Sequence, residues 1–204
     1  MRYLVAFLIW LSLFSCNQNK PKPQLPTTNI LSTATFNPVN DSTIFEFVTF
    51  LSNDTIETNF VLRGDKFLDQ AQLKYEDLII DSIVKSNLFL KEDLEFIRIQ
   101  QKFNESFKLN PKYFDEKDII SKKSFDTYRA NPENRWNFWE DYRKRYGVKG
   151  YCAIALPLFS KDKETVIIKT YYACGGKCGE GGIFIYKKID GNWVKVKELS
   201  RWIA

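Results

Sequence analysis

The chain predicts an α+β fold: a helical stretch over residues 41–147 packed on one face of a four-stranded antiparallel β-meander over 148–204. Three observations predict it. Apolar residues recur at helical spacing before Gly147 and crowd into short β-prone runs after it. Asp190-Gly191 separates two such runs, and both residues accept positive φ, the signature of a tight hairpin. Tyr171 to Gly182 holds five of the nine glycines and two of the four cysteines between two other runs. A glycine cluster there means positive φ or close backbone approach.

The elements follow in order. Thr43 with Glu46 reads as a capping box opening a short helix, with Ile44, Phe45, Phe47, Val48 and Leu51 on its apolar side. It ends at Asn53-Asp54. Phe60-Val61-Leu62 reads as a short strand, and Phe67 to Ile83 fits a helical face only in part. Leu94, Ile97, Phe96, Ile99, Phe103 and Phe107 define a stronger helix from about Lys91 to Phe107. Glu92, Asp93 and Glu95 complement the dipole at its start, and Pro111 stops it. Lys112 to Ala130 is polar and mixed. Asn131-Pro132-Glu133 opens another helix, which Gly147 closes. Trp136, Phe138, Trp139, Tyr142 and Tyr146 are its apolar side. A Trp pair on a helix can stack on sugar, but it more commonly packs under a sheet. Strands are expected at Tyr151 to Leu156, Thr165 to Tyr172, Ile183 to Ile189 and Trp193 to Leu199. Pro157 and a polar turn, Ser160 to Lys163, connect the first pair, and Trp202 is expected at the sheet edge.

The N-terminus reads as an address. Met1-Arg2 precedes an apolar run from Tyr3 to Phe14, shorter than the ~20 residues that span a bilayer. It ends in Leu13-Phe14-Ser15-Cys16, which resembles a bacterial lipobox, with Phe14 where a small residue is usual. That resemblance implies a signal peptide over 1–15 and diacylation of Cys16. Residues 16–30 carry Pro21, Pro23 and Pro26 among polar residues and read as a flexible tether. Residues 31–204 then form a single domain. No acidic motif follows Cys16, so the periplasmic side of the outer membrane is favoured over the cell surface.

Composition narrows the chemistry. The chain contains no histidine, which removes a Ser-His-Asp triad, a Cys-His pair and any His metal ligand within it. The net charge of +5 is mild. Lys122-Lys123, Arg143-Lys144-Arg145 and Lys187-Lys188 are short runs that a solvated face explains, and nucleic acid is not an expected partner.

The cysteines carry the main site expectation. With Cys16 lipidated, Cys174 and Cys178 are expected to pair as a staple across the glycine loop, since an oxidising envelope favours disulfides. Cys152 is then a buried thiol in a strand. Three other readings stand beside it. A thiol–disulfide oxidoreductase would use Cys174 and Cys178, although its cysteines are usually two residues apart at a helix N-terminus. A zinc site would draw on Cys152, Cys174, Cys178 and Glu180. An anion nest would use the glycine backbone and Lys177. Glu140-Asp141 and Asp115-Glu116 raise a carboxylate-dependent cell-wall hydrolase, but adjacent helical residues point apart.

Several segments together resemble a group of uncharacterised small lipoproteins from Bacteroidota. They are Trp139-Glu140-Asp141-Tyr142, Pro157 to Asp162, Cys174-Gly175-Gly176-Lys177-Cys178-Gly179-Glu180-Gly181, Gly191-Asn192-Trp193 and Trp202-Ile203. The stretch Asp93 to Gln101 is similar too. The resemblance implies envelope localisation and no known activity, so it assigns no catalytic residue, metal or cofactor. The expectation is a membrane-anchored binding or structural module with an envelope protein or glycan as partner. Its contact surface would be the loop of Tyr171, Tyr172, Gly175, Gly176, Lys177, Gly179 and Glu180, because function concentrates on loops held by a rigid scaffold.

Overall fold

The computed structural model of the protein describes residues 37–53, 66–71, 73–75, 78–113, 119–132 and 137–204. The expected signal peptide, Cys16 and its tether lie outside the described residues, as do the strand at Phe60-Val61-Leu62, the pair Asp115-Glu116, and Trp136. Among the described residues are five helices: α1 (Asp41–Asn53), α2 (Leu78–Ser86), α3 (Lys91–Gln101), α4 (Lys122–Ala130) and α5 (Phe138–Tyr146). Seven strands form one mixed sheet: β1 (Phe67–Leu68), β2 (Ile119–Ile120), β3 (Tyr151–Ile154), β4 (Leu158–Phe159), β5 (Thr165–Gly175), β6 (Cys178–Ile189) and β7 (Asn192–Ile203). The sheet order is β2-β1-β3-β5-β6-β7, with β4 pairing β5.

The C-terminal meander is present as β5-β6-β7, with β3 antiparallel beside β5. Asp190 and Gly191 sit at φ 50 and 80, which makes the β6–β7 turn the expected hairpin. The sheet is nevertheless wider than the sequence predicts. β1 pairs in parallel with both β2 and β3. Two-residue strands leave no periodic trace, and residues 67–83 contain β1 and, from Leu78, α2 in place of one helical face.

Helices cover both faces of the sheet, which corrects the expected one-sided packing. In β3, Cys152 and Ile154 join a large apolar cluster, while Tyr151 and Ala153 join a smaller one. In β1, Phe67 and Leu68 divide the same way. Strands that are apolar on both sides need a layer on each. The large cluster receives α1, Ile83 of α2 and Ile97 of α3; the smaller receives Phe125 of α4 and Tyr142 of α5. Phe47 of α1 is fully buried and meets Trp193, Tyr186 and Phe159 edge-on at 5.1, 5.5 and 6.0 Å. Burying a ring of that size contributes ~1.5–3 kcal/mol.

The helix ends differ from the local signals. The cap of α1 is Asn40, not Thr43: its Oδ1 accepts the Thr43 N–H at 2.9 Å and its carbonyl accepts the Ile44 N–H at 3.2 Å. Glu46 faces Lys188 at 3.3 Å instead of closing a capping box. Asp93 caps α3, accepting the Leu90 N–H at 2.8 Å. α4 occupies a stretch the sequence left as polar and mixed. Its first N–H, on Lys122, goes to Asp69 Oδ1 at 2.7 Å, a cap from far along the chain. Gly147 ends α5 at φ 71, as expected.

A line of buried polar side chains joins α3 to the sheet. Asp93, Gln100 and Asn104 lie on one stripe of the helix and the turn after it, and all three are buried. Asp93 Oδ1 accepts the Lys161 N–H at 2.9 Å. Gln100 Nε2 donates to Phe159 O at 2.8 Å while its Oε1 accepts the Phe159 N–H at 2.9 Å. Asn104 Oδ1 accepts the Leu156 N–H at 2.9 Å, and its Nδ2 donates to Leu73 O at 2.7 Å. Ser160 N–H donates to Thr165 O across the β4–β5 pair, so Phe159 turns its own N–H and C=O to the other edge. The Gln100 amide meets both, in the place of a further strand. α3 therefore ends at Gln101, short of Phe107, and tightens into a single 3-10 turn at Asn104–Ser106 that brings the Asn104 amide into reach.

Candidate functional site

The glycine–cysteine stretch is a long hairpin and not a loop. β5 runs to Gly175 and β6 starts at Cys178, which leaves Gly176-Lys177 as the turn. Cys174 and Cys178 form a disulfide with Cα atoms 5.1 Å apart. Cys174 is the extra residue of a bulge, since Ala173 pairs Gly179 and Gly175 pairs Cys178. The bridge therefore ties the irregular end of the hairpin. Neither turn residue has positive φ.

The glycines serve close approach. Gly181 lies opposite Trp202, and a Cβ on it would stand 2.6 Å from the indole Nε1 and 2.7 Å from Thr170 O. A Cβ on Gly182 would stand 2.6 Å from the Phe184 ring. Aromatic rings lie where side chains would otherwise project. Trp202 is on the edge strand, as expected, tilted against Tyr171 at 5.2 Å.

The seven expected contact residues separate into three sets. Gly176 and Lys177 are exposed at the tip; Tyr171, Gly175 and Gly179 are half-buried. Tyr172 is buried in the large cluster, and Glu180 is buried with Arg201 at 3.7 Å. Both sit in the body of the hairpin and offer no open surface. Period-two alternation turns Tyr171 and Tyr172 to opposite faces, a consequence hidden while the stretch is read as a loop.

The cysteine chemistry resolves with the same geometry. Cys174 and Cys178 are committed to each other, so they supply no thiolate ligands for a zinc site with Cys152 and Glu180. Among the described residues no group of three or more His, Cys, Asp or Glu is placed to hold a metal ion. Cys152 is fully buried in the large cluster and outside any disulfide. The disulfide lies on a hairpin turn, without the helix N-terminus that lowers a thiol pKa in oxidoreductases. The glycine backbone is paired in β5 and β6 and leaves no concave nest of free N–H groups along the strands.

The two carboxylates of α5 do not face each other across a cleft: Asp141 is half-buried and bonded to Tyr128. Glu140 is exposed and pairs with Lys144 at 2.8 Å; that bond holds its carboxyl below the usual range, opposite to the shift a general acid needs. Of the basic runs, Lys122 pairs with Asp126, Arg145 lies over the Tyr128 and Tyr146 rings at 5.6 and 5.7 Å, and Lys188 faces Glu46.

A cleft opens beside the tip. Among the described residues its walls are Gly176, Arg129 and Ala130 at the end of α4, Asn131 and Pro132 just after it, and Phe138 and Trp139 at the start of α5, around a volume of about 600 Å³. Trp139 stacks on Tyr151 at 6.0 Å and an 11° interplanar angle, with Tyr142 edge-on at 5.7 Å. Burial pushes the Tyr142 and Tyr151 hydroxyls well above the usual tyrosine range, and Tyr142 Oη donates to Gly150 O at 3.1 Å. The floor under the indole is thus rigid and neutral. Charge is not evenly spread, as the mild net value suggests: residues 122–149 hold eight Lys and Arg against four Asp and Glu, while residues 37–121 hold ten against sixteen.

The fold and this site define a disulfide-stapled α+β domain with a cleft at one hairpin tip. No protein-family model matches the chain, and neither a curated protein nor a solved structure matches it.

Proposed function

We propose that the chain is an envelope lipoprotein, held by diacylated Cys16 on the periplasmic side of the outer membrane, whose domain is a non-enzymatic binding or accessory module. The observation that carries this reading is the Cys174–Cys178 disulfide, with Cys178 exposed. Such a bond persists in oxidising compartments and is rare in the cytosol. It agrees with the apolar run ending at Ser15-Cys16 and with the resemblance to small Bacteroidota lipoproteins. The module's contact surface is the hairpin tip at Gly176-Lys177 together with the cleft beside it; an envelope protein or a glycan is the partner class.

Fractionation and intact mass of the expressed full chain test the reading. The expected result is a membrane-bound protein that begins at Cys16 and carries acyl chains, and a Cys16→Ser variant released from the membrane. A soluble product that keeps residues 1–15, or Cys174 and Cys178 recovered as thiols, refutes it. Turnover of disulfide substrates, lost in Cys174→Ser, replaces it with the oxidoreductase reading. Cleavage of cell-wall glycan replaces it with the hydrolase reading.

A further inference from the structure

The cleft beside the hairpin tip brings a fixed aromatic surface and a cation to one place. We propose that it binds an acidic saccharide, a sugar chain whose rings carry carboxylates. The inference rests on reading the domain as a binding module and is independent of the lipid anchor.

Four observations converge. The volume of about 600 Å³ lies within the size range of small-ligand sites. Trp139 is held by Tyr151, Tyr142 and Phe138 at 6.0, 5.7 and 5.2 Å, and the remaining indole surface lines the cleft. A rigid aromatic face suits the C–H face of a sugar ring and loses little entropy on binding. Arg129 stands exposed in the wall, and its planar guanidinium matches a carboxylate with two parallel hydrogen bonds. Among the described residues Arg129 is the only charged side chain lining the cleft and no carboxylate lines it, which favours an anion there. A neutral sugar would stack on the indole and accept hydrogen bonds from the guanidinium, but without the bidentate charge pairing that a carboxylate adds. A flat anionic membrane would meet the exposed lysines without entering a walled cleft.

Gly176 supplies a clean test, because a Cβ there meets nothing within 4 Å and its φ is not left-handed. Gly176→Glu therefore places a carboxylate in the wall without disturbing the fold. The full chain, purified from whichever fraction holds it, is titrated with a hexagalacturonate, followed by tryptophan emission and calorimetry. Maltohexaose is the neutral control and anionic phospholipid vesicles the membrane control. The acidic hexamer is expected to bind and to perturb the emission, with Arg129→Gln weakening binding about tenfold, the loss of a charged hydrogen-bond partner. Gly176→Glu is expected to weaken it at least as much, with unchanged circular dichroism. Absence of binding at millimolar hexamer overturns the proposal. So do equal affinity for maltohexaose, wild-type binding by both variants, or vesicle binding without hexamer binding. Loss of the membrane anchor with hexamer binding intact refutes the lipoprotein reading and leaves this inference standing.

Discussion

Replacing Gln100 by leucine isolates the side chain that takes the place of a strand beside β4. Leucine is close in volume, so the change removes polar atoms and leaves little cavity. It deletes the bonds to Phe159 N–H and C=O at 2.9 and 2.8 Å, and a longer one to Phe96 O at 3.3 Å. Phe159 is fully buried, so no water replaces the amide. Each orphaned backbone group costs ~1–3 kcal/mol, so the pair costs ~2–6 kcal/mol. Leucine's apolar contacts recover ~1–2 kcal/mol of that. The difference centres on a net loss of ~2.5 kcal/mol, a large part of the ~5–15 kcal/mol that holds a typical domain folded. Urea unfolding followed by tryptophan emission reads it, with Trp193 packed 6.2 Å from the Phe159 ring as reporter. Hydrogen exchange at the Phe159 amide should accelerate in parallel. Arg98→Leu, on the exposed side of the same helix, is the control and should shift stability by less than ~0.5 kcal/mol. A Gln100→Leu protein as stable as the control refutes the role assigned to the amide.

Gly181→Ala drives a methyl into the Trp202 indole and Thr170 O, and should lower stability by ~1–3 kcal/mol in the same assay, with partial recovery in Gly181→Ala/Trp202→Ala. Asp162 is held below the usual carboxylate range by hydrogen bonds from Ser160 Oγ and the Glu164 N–H. Its folded pKa is lower than its unfolded one, so its contribution is present above ~pH 4 and fades as pH falls through the folded value. Asp162→Asn should flatten the acid limb of unfolding midpoint against pH. Tyr75, Tyr142 and Tyr151 have hydroxyls raised chiefly by burial. Their contribution is present below ~pH 10 and lost as pH rises toward the folded values. In an alkaline absorbance titration they should ionise together with unfolding, after the exposed tyrosines.

Much of the fold was legible where the controlling interactions are local. The Asp190-Gly191 hairpin needs only its own two residues and alternating neighbours. Gly147 as the end of α5 needs only a left-handed position. The three main strands were legible from their β-branched and aromatic runs. The candidate site was legible in part. The tip stands out by its glycines and the two cysteines by their spacing across them, whereas Trp139 reads as a residue packed under the sheet and is not among the expected contact residues. The cleft did not stand out, because it forms where the end of α4 meets the start of α5 under a hairpin more than thirty residues later.

Short-range conformational preference and residue chemistry carry the α+β class, the meander and its tight turn. They leave the Cys174–Cys178 pair and a buried Cys152 as one reading among several, and the structure shows that pair formed and Cys152 buried. The tertiary structure alone decided that helices lie on both faces, that Asp69 caps α4, and that the glycines of β6 make room for rings. It also decided that Asp93, Gln100 and Asn104 bond the backbone from Leu156 to Lys161. Those side chains look like ordinary helix-surface residues in the sequence. Their role arises because β4 leaves buried N–H and C=O groups facing α3, and buried backbone groups must find partners.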